Sequence, residues 1–441
     1  MPVTAIVGGH WGDEGKGKVV DALAASADMV IRFNGGNNAG HTVVGAHGTL
    51  RLHLVPSGIT HPDVECIIGP GVVVNPPALF EELDVLEDAG ITIGRLRVSD
   101  RAHLVFPFHV ELDEREEVAR GRKAHGTTRR GIWPVYADKA ARFGIRAGDL
   151  LEPEFLQERL AEVARRMTVL LGRTVTPGEI WYLCEEWSER LAPLVVDTHA
   201  LVQAALRRDD AILLEGQLGV MRDLDWGVYP YVTSSTCLPG GAAAGAGIPP
   251  QRISRIIGVV KAYTTAVGAG PMPTEMKDKM GTRLREIGQE YGASTGRPRR
   301  CGWFDGVAAR FAAEVSGFTE LAVMKLDVLD AFETVKVCVA YRDGRRLLDA
   351  VPHTAVMARV EPVYEELPGW TRTANARTLE DLPDQARAFL DRISQLVGVP
   401  VSIVGVGQVR EALIQLQDQG PGTRDQDTVP GSRLPVPGGR A

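Results

Sequence analysis

The sequence predicts an α/β fold in which a large, mostly parallel central sheet is covered by helices on both faces and carries smaller inserted subdomains. Two observations support this prediction. Strand-like and helix-like patterns alternate along the chain, and several strands are unbroken apolar runs, which are typical of parallel strands buried on both faces. A chain of 441 residues is also long enough to bury a large core without disulfides or a structural metal.

The elements follow in chain order. The run "TAIVGG" at 4–9 is a short strand that ends in glycines, and "GKGKVVDALAAS" after it has helical spacing. The same succession of strand and glycine loop recurs at 29–44. Further strands are predicted at 65–70, 211–216, 255–267, 320–327, 335–341 and 400–407. Helices are predicted at about 77–89, 154–171, 177–192, 197–208, 303–316 and 383–397.

We expect residues 1–417 to form a single catalytic α/β domain with a helical segment inserted at about 100–200. The run "CLPGGAAAGAGIPP" at 237–250 is interpreted as a turn-rich connection inside this domain, because candidate site residues stand on both sides of it. Residues 418–441 consist of Pro, Gly and charged residues with almost no apolar content. They are therefore predicted to be a disordered tail.

The composition excludes several classes of protein. A formal net charge of −7 argues against a surface that binds nucleic acid or a membrane, so we expect neither partner. The five cysteines lie far apart without C-x-x-C spacing, which indicates neither a disulfide framework nor a zinc site. Because the sequence shows no apolar leader and no apolar run of spanning length, we expect a cytoplasmic protein.

The segment "HWGDEGKGK" at 10–18 resembles a phosphate-binding loop but is incomplete. The Walker pattern requires a glycine where His10 stands and a hydroxyl where Gly17 stands. Lys16, Lys18 and the backbone amides before the helix still favour a bound anion. We therefore expect a phosphate site of a different design.

Two carboxylates inside this loop, Asp13 and Glu14, allow two interpretations. In the first, they only complement the helix N-terminus. In the second, one of them has a chemical role, because an acid beside bound polyphosphate is costly unless a metal bridges the charges or the acid takes a proton. Asp13 then holds Mg²⁺ or acts as a general base. His41, on the second glycine loop, then donates to a phosphoryl oxygen, and an ordinary structural histidine is the alternative.

Long motifs carry a resemblance to a known family. They are, in chain order, "GGHWGDEGKGKVVD", "RFNGGNNAGHTV", "GTTRRGIWPVYADKAARFGIRAGDL", "YPYVTSSTCLPGGAAAGAG", "VKAYTTAVGAGPMPTE", "STGRPRRCGWFD" and "KLDVLD". Over about residues 1–417 the chain resembles the adenylosuccinate synthetase family. The resemblance implies a ligase that condenses IMP with L-aspartate, using GTP and Mg²⁺, to give adenylosuccinate, GDP and phosphate. The purine 6-oxo group is phosphorylated first, and the aspartate amine then displaces phosphate.

The resemblance implies roles for three residues at the reacting centre. Asp13 is the base that takes the N1 proton of the purine, and it also ligates Mg²⁺. Gly40 adds a backbone carbonyl to this metal, of which a single ion per subunit is expected. His41 stabilises the transferring phosphoryl group as a general acid.

The resemblance also assigns the nucleotide and amino-acid sites. The implied triphosphate-binding residues are Gly12, Gly15, Lys16, Gly17, Lys18, Lys325, Asp327, Gly405 and Gly407. The implied monophosphate-binding residues are Asn38, Thr128, Arg142, Leu218, Thr233, Val267 and Arg297. The implied aspartate-binding residues are Ser294, Thr295, Arg297 and Arg299. Guanidinium forks suit a dicarboxylate, although the residues alone also allow a solvated basic loop.

Several of these residues have a specific implied contact. Arg142 would reach in from the second subunit of a homodimer, and Val267 would touch the ribose. Lys325 and Asp327 would frame guanine. The residues alone also allow a solvated surface charge for Arg142, a turn hydroxyl for Thr233 and a strand-end salt bridge between Lys325 and Asp327.

Some positions depart from the family pattern. Leu218 stands where the family has a glutamine that meets the purine edge, and leaving that edge unpaired costs about 1–3 kcal/mol. Whether the neighbouring Gln217 replaces this contact is open. The motif "GVGQ" at 405–408 replaces the S-T-G-P guanine cap. The other departures are Arg129 for glycine, Trp226 for histidine and Ala266 for arginine.

Three interpretations follow from this pattern. The first is the family's own reaction, with IMP and GTP. The second is a paralogue that acts on a modified purine or C-nucleoside monophosphate in specialised metabolism, with GTP or ATP as donor. The third is a catalytically silent nucleotide-binding regulator. The retained residues Asp13, Lys16, His41, Arg297 and Arg299 favour an enzyme over a silent protein.

Overall fold

A computed structural model describes residues 3–292 and 296–416 of the chain. Its strands are β1 (Val3–Gly8), β2 (Met29–Arg32), β3 (His41–Gly45), β4 (Gly48–Leu52), β5 (Glu65–Ile68), β6 (Val73–Val74), β7 (Leu96–Ser99), β8 (His103–Leu104), β9 (Val195–Val196), β10 (Ile212–Gly219), β11 (Ile253–Lys261), β12 (Thr264–Ala266), β13 (Arg300–Gly302), β14 (Phe304–Asp305), β15 (Glu320–Met324), β16 (Thr334–Asp343), β17 (Arg346–Leu348), β18 (Glu361–Pro368), β19 (Val401–Gly405) and β20 (Leu413–Gln415).

The α-helices alternate with these strands. They are α1 (Lys16–Ala24), α2 (Pro76–Asp88), α3 (Pro107–Arg120), α4 (Ile132–Ala141), α5 (Pro153–Leu171), α6 (Pro177–Leu191), α7 (Thr198–Arg208), α8 (Pro239–Ala246), α9 (Lys279–Gly288), α10 (Gly306–Ser316), α11 (Thr354–Met357) and α12 (Asp384–Val397). The tail predicted at 418–441 lies outside the described residues.

The central sheet has ten strands within the described part of the chain, in the order β20-β19-β15-β11-β1-β10-β2-β5-β7-β9. Neighbouring strands are parallel except β19 and β20 at one edge. Ala5 and Val7 of β1 pack into the core on one face, with α10 and α12, whereas Ile6 packs into the core on the other face, with α1 and α2. This architecture confirms the predicted fold class.

The parallel register brings the carboxyl ends of the central strands to one edge of the sheet. Gly8 at the end of β1 pairs with Gly219 of β10 and with Val259 of β11. Ligands of open α/β sheets bind beyond the carboxyl ends of the strands. The loops that follow β1, β2, β10 and β11 carry candidate site residues to this edge.

Helices α3 to α6 stand between β8 and β9 in the chain, and their starts follow from the sequence. Pro107, Pro153 and Pro177 occupy first-turn positions, where a missing N–H costs nothing. Thr176 caps α6 by accepting from the Glu179 N–H at 3.2 Å, and the Glu179 carboxylate accepts from the Thr176 N–H at 2.6 Å. Among the residues described, no helix combines the length and the apolar composition needed to cross a membrane.

Two parts of the chain differ from the sequence-based expectation. The segment at 237–250, interpreted as a turn-rich connection, contains α8. The glycine and alanine content lets α8 lie directly on the sheet, since a Cβ at Gly245 would be 2.1 Å from the Phe33 carbonyl oxygen. Strand β16, predicted at 335–341, lies in a small sheet with β14, β17 and β18 rather than in the central one.

The close contact at Gly245 predicts a loss of stability when a single methyl group is added. Gly245→Ala is expected to lower the free energy of unfolding by about 1–3 kcal/mol, because the backbone of Phe33 cannot give way as a side chain does. Gly240→Ala in the same helix is the matched control, since nothing lies within 4 Å of its added Cβ. Chemical denaturation compares the two variants, and equal midpoints would contradict the close contact.

Candidate active site

The loop between β1 and α1 turns through three residues in the left-handed backbone region. Gly12 has φ 97°, Asp13 φ 61° and Gly15 φ 102°. A non-glycine residue rarely adopts this conformation, and aspartate is among the residues that tolerate it best. The turn directs the Asp13 side chain into a cavity at the carboxyl edge of the sheet.

Glu14 faces the opposite way and holds the loop together. Its buried carboxylate accepts from the N–H groups of His10 at 3.2 Å and Gly12 at 2.8 Å, and from Nζ of Lys16 at 2.6 Å. A Cβ at Gly219 would lie 2.4 Å from this carboxylate, so the strand beside it must be glycine there. Glu14 is therefore structural, and Lys16 is engaged with it.

Asp13 is a quarter exposed and pairs with an arginine from the 296–300 segment. Its Oδ2 accepts from Nε of Arg299 at 2.8 Å, and 26% of its side chain is exposed. Burial alone would raise the pKa of Asp13, but the positive charges of Arg299, Lys261 and Lys16 hold it below its ordinary value. The carboxylate is consequently ionised at neutral pH.

A fully buried carboxylate that the sequence did not single out, Glu290, joins the cations around this pair. It accepts from Arg299 Nη1 at 2.6 Å, from Lys261 Nζ at 2.8 Å and from Lys325 Nζ at 3.0 Å. The Tyr263 hydroxyl also donates to it. Burial disfavours its charge, yet the three cations keep the pKa of Glu290 below its ordinary value. This network fixes the position of Arg299 beside Asp13.

His41 begins β3 and is oriented by Glu215 of β10. Nδ1 of His41 lies 2.5 Å from the Glu215 carboxylate, which also accepts from the N–H of Ser57 at 2.8 Å. Burial would raise the pKa of Glu215, but His41 and the hydroxyl of Ser57 keep it below its ordinary value. An ionised carboxylate only accepts, so Nδ1 is the donor and Nε2 remains for a ligand.

The same geometry explains why Gly17 stands where the Walker pattern has a hydroxyl residue. A Cβ at Gly17 would lie 2.7 Å from Cβ of His41. The first turn of α1 and the loop that carries His41 therefore approach too closely for any side chain at this position. The departure from the Walker pattern is thus a requirement of placing His41.

The cavity, of about 170 Å³, brings together most of the residues implied for the monophosphate. Its wall contains Asp13, Gly40, Asn38, Thr128, Leu218, Thr233, Val267 and Arg297. Within the described residues Arg142 is not part of this wall and is exposed at the carboxyl end of α4. Ser294 and Thr295 lie outside the described residues.

Two carboxylates of α3, also not predicted, hold the loop that carries Thr128. Glu117 accepts from the N–H groups of His125 at 3.0 Å, Gly126 at 2.9 Å and Thr127 at 3.2 Å. Asp113, one turn earlier, accepts from the Thr127 hydroxyl at 2.9 Å, and burial raises its pKa. Their spacing of four residues, which places both on one face of a helix, was the only feature of the sequence that could have indicated this shared role.

The structure shows where the side chain of Gln217 lies. Its Oε1 accepts from the Gly36 N–H at 3.2 Å, and it lies where a Cβ on Gly35 would be. Gln217 is thus buried beneath the second glycine loop and is not part of the described cavity wall. Leu218 has φ 58° and packs against Gly12, so an apolar group faces the cavity.

The residues implied for the triphosphate lie around α1 and the ends of β15 and β19. Nζ of Lys18 donates to the carbonyl oxygens of Gly407 and Ala412, each at 2.8 Å, and so fastens the turn after Gly405 to α1. Oδ1 of Asp327 is buried and has no hydrogen-bond partner among the described residues. Burial raises the pKa of Asp327.

Most of the departures from the family pattern lie away from the cavity. Trp226 is 53% exposed and Arg129 is exposed on its loop. Ala266 is buried in β12. Of these positions and Leu218, only Leu218 is in the described cavity wall.

Residues 5–414 match the family model described as adenylosuccinate synthetase. The chain belongs to the adenylosuccinate synthetase family. Relatives named adenylosuccinate synthetase include that of Desulforudis audaxviator, 50% identical over 426 residues with 95% of this chain and 99% of the relative covered. That of Dehalococcoides mccartyi strain CBDB1 is 47% identical over 421 residues, with 94% and 100% covered.

Solved structures agree with this membership. The fully ligated adenylosuccinate synthetase of Plasmodium falciparum has a TM-score of 0.89 and 34% identity, and the match covers 94% of this chain and 100% of that chain. The cyanophage S-2L succinoaminodeoxyadenylate synthetase, bound to dGMP and dATP, has a TM-score of 0.59 at 22% identity, with 94% and 95% covered. The second similarity shows the fold alone.

These similarities confirm the interpretation of the chain as a ligase of purine biosynthesis of the adenylosuccinate synthetase type. The alternatives, a paralogue with a different monophosphate and a silent regulator, are not favoured. The adenylosuccinate synthetase family implies Mg²⁺, IMP, L-aspartate and GTP as cofactor and substrates.

The contact between Gly17 and His41 predicts that even the smallest side chain lowers turnover. If His41 assists phosphoryl transfer as the family resemblance implies, Gly17→Ala is expected to reduce kcat by roughly 10²-fold, because the added methyl group displaces His41. Steady-state kinetics and a thermal unfolding midpoint are measured together, with Gly240→Ala as the methyl-for-hydrogen control on α8. A kcat close to that of the unaltered protein would show that His41 does not need this clearance.

Proposed function

We propose that this chain condenses IMP with L-aspartate at the expense of GTP, giving adenylosuccinate, GDP and phosphate. The observation that supports this most strongly is the common cavity wall, which contains the Asp13 carboxylate together with Gly40, Asn38, Thr128 and Thr233. A base and phosphate-binding groups thus face the same space. We further propose a single catalytic domain over 1–417 and a cytoplasmic location.

Asp13 is proposed to take the N1 proton of the purine. The low pKa keeps its carboxylate in the ionised form that a base requires. Removing the N1 proton increases electron density on the 6-oxo group, which then attacks the terminal phosphoryl group of GTP. The left-handed turn at Asp13 supports this role, because it directs the side chain into the cavity rather than along α1.

His41 is proposed to stabilise the transferring phosphoryl group through Nε2. Glu215 occupies Nδ1 and fixes the ring, so the second nitrogen has a defined direction. Backbone N–H groups at the start of α1 and the positive end of its dipole favour the triphosphate. Lys16 and Lys18 stiffen this region through Glu14 and the Gly407 carbonyl.

Mg²⁺ is proposed to bind at Asp13 and the Gly40 carbonyl. Among the described residues, no group of three His, Cys, Asp or Glu side chains is arranged to hold a metal. The Asp13 carboxylate and the Gly40 carbonyl nevertheless fit Mg²⁺, which commonly takes one or two carboxylates and completes its shell with phosphate oxygens and water. The ion supplies charge neutralisation on the phosphates when bound.

L-Aspartate is proposed to bind at Arg297 and Arg299, with Ser294 and Thr295 in the same loop. Arg299 uses Nε for Asp13 and Nη1 for Glu290, which leaves Nη2 for a substrate carboxylate. Arg297 lines the cavity. The proposal therefore brings the amino acid next to the base and the purine.

GTP is proposed as the donor in preference to ATP. The unpartnered Oδ1 of Asp327 is an acceptor in the 3-10 turn that follows β15 and Lys325. Guanine offers two donors, the N1–H and the 2-amino group, to such a carboxylate, whereas adenine presents an acceptor at N1. IMP is proposed as the monophosphate, because the family implies it and because the departures other than Leu218 lie outside the described wall.

We also propose a homodimer in which Arg142 enters the neighbouring subunit's monophosphate site. Its support is the exposed position of Arg142, where the chain leaves α4 in a left-handed turn. A cation that is exposed in one chain is available to a phosphate held by another.

The reaction itself is tested by mass spectrometry of the product. The purified protein is incubated with IMP, L-aspartate, Mg²⁺ and either GTP or ATP. Adenylosuccinate is expected with GTP, and its formation should require both IMP and aspartate. Phosphate release without aspartate, or product only with a different monophosphate, would contradict the proposal.

Asp13→Asn tests the base directly. It is expected to lower kcat by about 10²–10⁴-fold, because an amide neither accepts the N1 proton nor carries the charge that a cation needs. Folding should be retained, since Glu290 still pairs with Arg299. The control is Asp63→Asn at an exposed position. Turnover of Asp13→Asn within about threefold of the unaltered protein would refute the assignment.

A further inference from the structure

The segment 267–270, which follows β12, is held by two arginines that alternate along its backbone. Arg222 donates through Nη2 to the carbonyl of Val267 at 2.6 Å and through Nη1 to that of Ala269 at 3.0 Å. Arg300 donates through Nη1 to the carbonyl of Gly268 at 3.3 Å and to that of Gly270 at 2.8 Å. All four consecutive carbonyl oxygens therefore accept from a guanidinium.

Glycine makes this arrangement possible. Gly268 has φ 83° and Gly270 has φ 101°, so the backbone turns at every second residue and presents successive carbonyls in different directions. Gly270 also packs against Tyr231, since an added Cβ would lie 2.6 Å from Cβ of that residue. The backbone conformation of this segment therefore depends on its glycines and on the two arginines that donate to its carbonyl oxygens.

The two arginines differ in their charge environment. Arg300 forms an ion pair with Glu275 at 2.6 Å. Arg222 is buried and donates only to carbonyls, the third being that of Tyr231, and no carboxylate of the described residues pairs with it. Burial and the nearby charge of Arg300 lower the pKa of Arg222 to about 10, so it remains charged at neutral pH. Keeping an unpaired guanidinium buried is costly, which points to a role beyond packing.

The segment 267–270 and Arg222 border the proposed monophosphate site. Val267, Gly268 and Arg222 are all part of the cavity wall. The N–H of Ala269 donates to the carbonyl of His125 at 3.1 Å, in the loop that carries Thr128. The carbonyl of Arg222 accepts from the N–H of Thr233 at 2.8 Å. A shift of this segment or of Arg222 would therefore displace Val267, the implied ribose contact, and also Thr128 and Thr233.

We propose that Arg222, with Arg300 as its partner, is a positioning residue that sets the 267–270 segment for binding of the nucleoside monophosphate. This inference rests on the proposed function of the cavity. Arg222 is therefore expected to affect the affinity for the monophosphate and not the phosphoryl transfer. Its guanidinium donates to carbonyl oxygens and, among the described residues, to no group of the loop that carries Asp13.

The test is steady-state kinetics of Arg222→Met, Arg222→Lys and the control Arg252→Met, each with a thermal unfolding midpoint. Methionine keeps much of the volume but cannot donate. We expect Arg222→Met to raise KM for IMP about tenfold, with KM for L-aspartate and GTP within about twofold and kcat within about threefold of the unaltered protein. Arg252 also donates to a backbone carbonyl, that of Leu206, but it is exposed in the 3-10 turn before β11, so its variant should match the unaltered protein.

The lysine variant separates positioning from general stability. Lysine keeps the charge and can reach part of the carbonyl set, so its KM for IMP should lie between those of the unaltered protein and Arg222→Met. A KM for IMP that is unchanged in Arg222→Met, or that rises equally with the other two, would overturn the proposal. If Arg222→Met does not fold, the lysine variant decides by the same criterion, with a rise in KM for IMP of roughly threefold expected.

The outcome is distinguishable from failure of the proposed function. If the unaltered protein forms no adenylosuccinate, the function fails irrespective of the arginines. If the unaltered protein is active and Arg222→Met keeps the same KM for IMP, only the positioning role of Arg222 is refuted.

Discussion

The site depends on the different orientations of two adjacent acids. Glu14 turns inward and accepts from the His10 and Gly12 N–H groups and from Lys16, and this leaves Asp13 in a left-handed turn that faces the cavity. The inward position requires glycine at residue 219, and the outward position requires a compensating cation, which Arg299 provides. An anion-binding loop can therefore contain two carboxylates, because Lys16 neutralises Glu14 within the loop and Arg299 pairs with Asp13.

Buried carboxylates hold the other reactive side chains in the same manner. Glu290 fixes Arg299 and Lys325, Glu215 fixes His41, and Glu117 fixes the loop that carries Thr128. Breaking one partner of such a buried pair costs about 3–5 kcal/mol, whereas the intact pair adds little net stability. These carboxylates are better understood as devices for orientation. Such orientation suits the proposed phosphoryl transfer, a reaction in which positioning and electrostatics supply most of the catalysis.

The sequence predicts the parts of this account that depend on local pattern. The glycine loops after β1 and β2 and the parallel sheet follow from short motifs and periodicity. Glu290 was not predicted, because two of its three cations, Lys261 and Lys325, stand 29 and 35 residues away in the chain. The roles of Glu14 and Gln217 also needed the structure, since only the fold shows which neighbouring side chain points into the cavity. In α8 the small residues that suggested turns instead allow close packing on the sheet.

We propose above all that Asp13 acts on the purine from the position that its left-handed turn gives it. A crystal structure of the protein with IMP, a non-hydrolysable GTP analogue and Mg²⁺ measures this directly. A carboxylate oxygen of Asp13 is expected to lie within hydrogen-bond reach of the purine N1, about 2.6–3.2 Å. An Asp13 carboxylate turned away from the ring, with another group at N1, would contradict it.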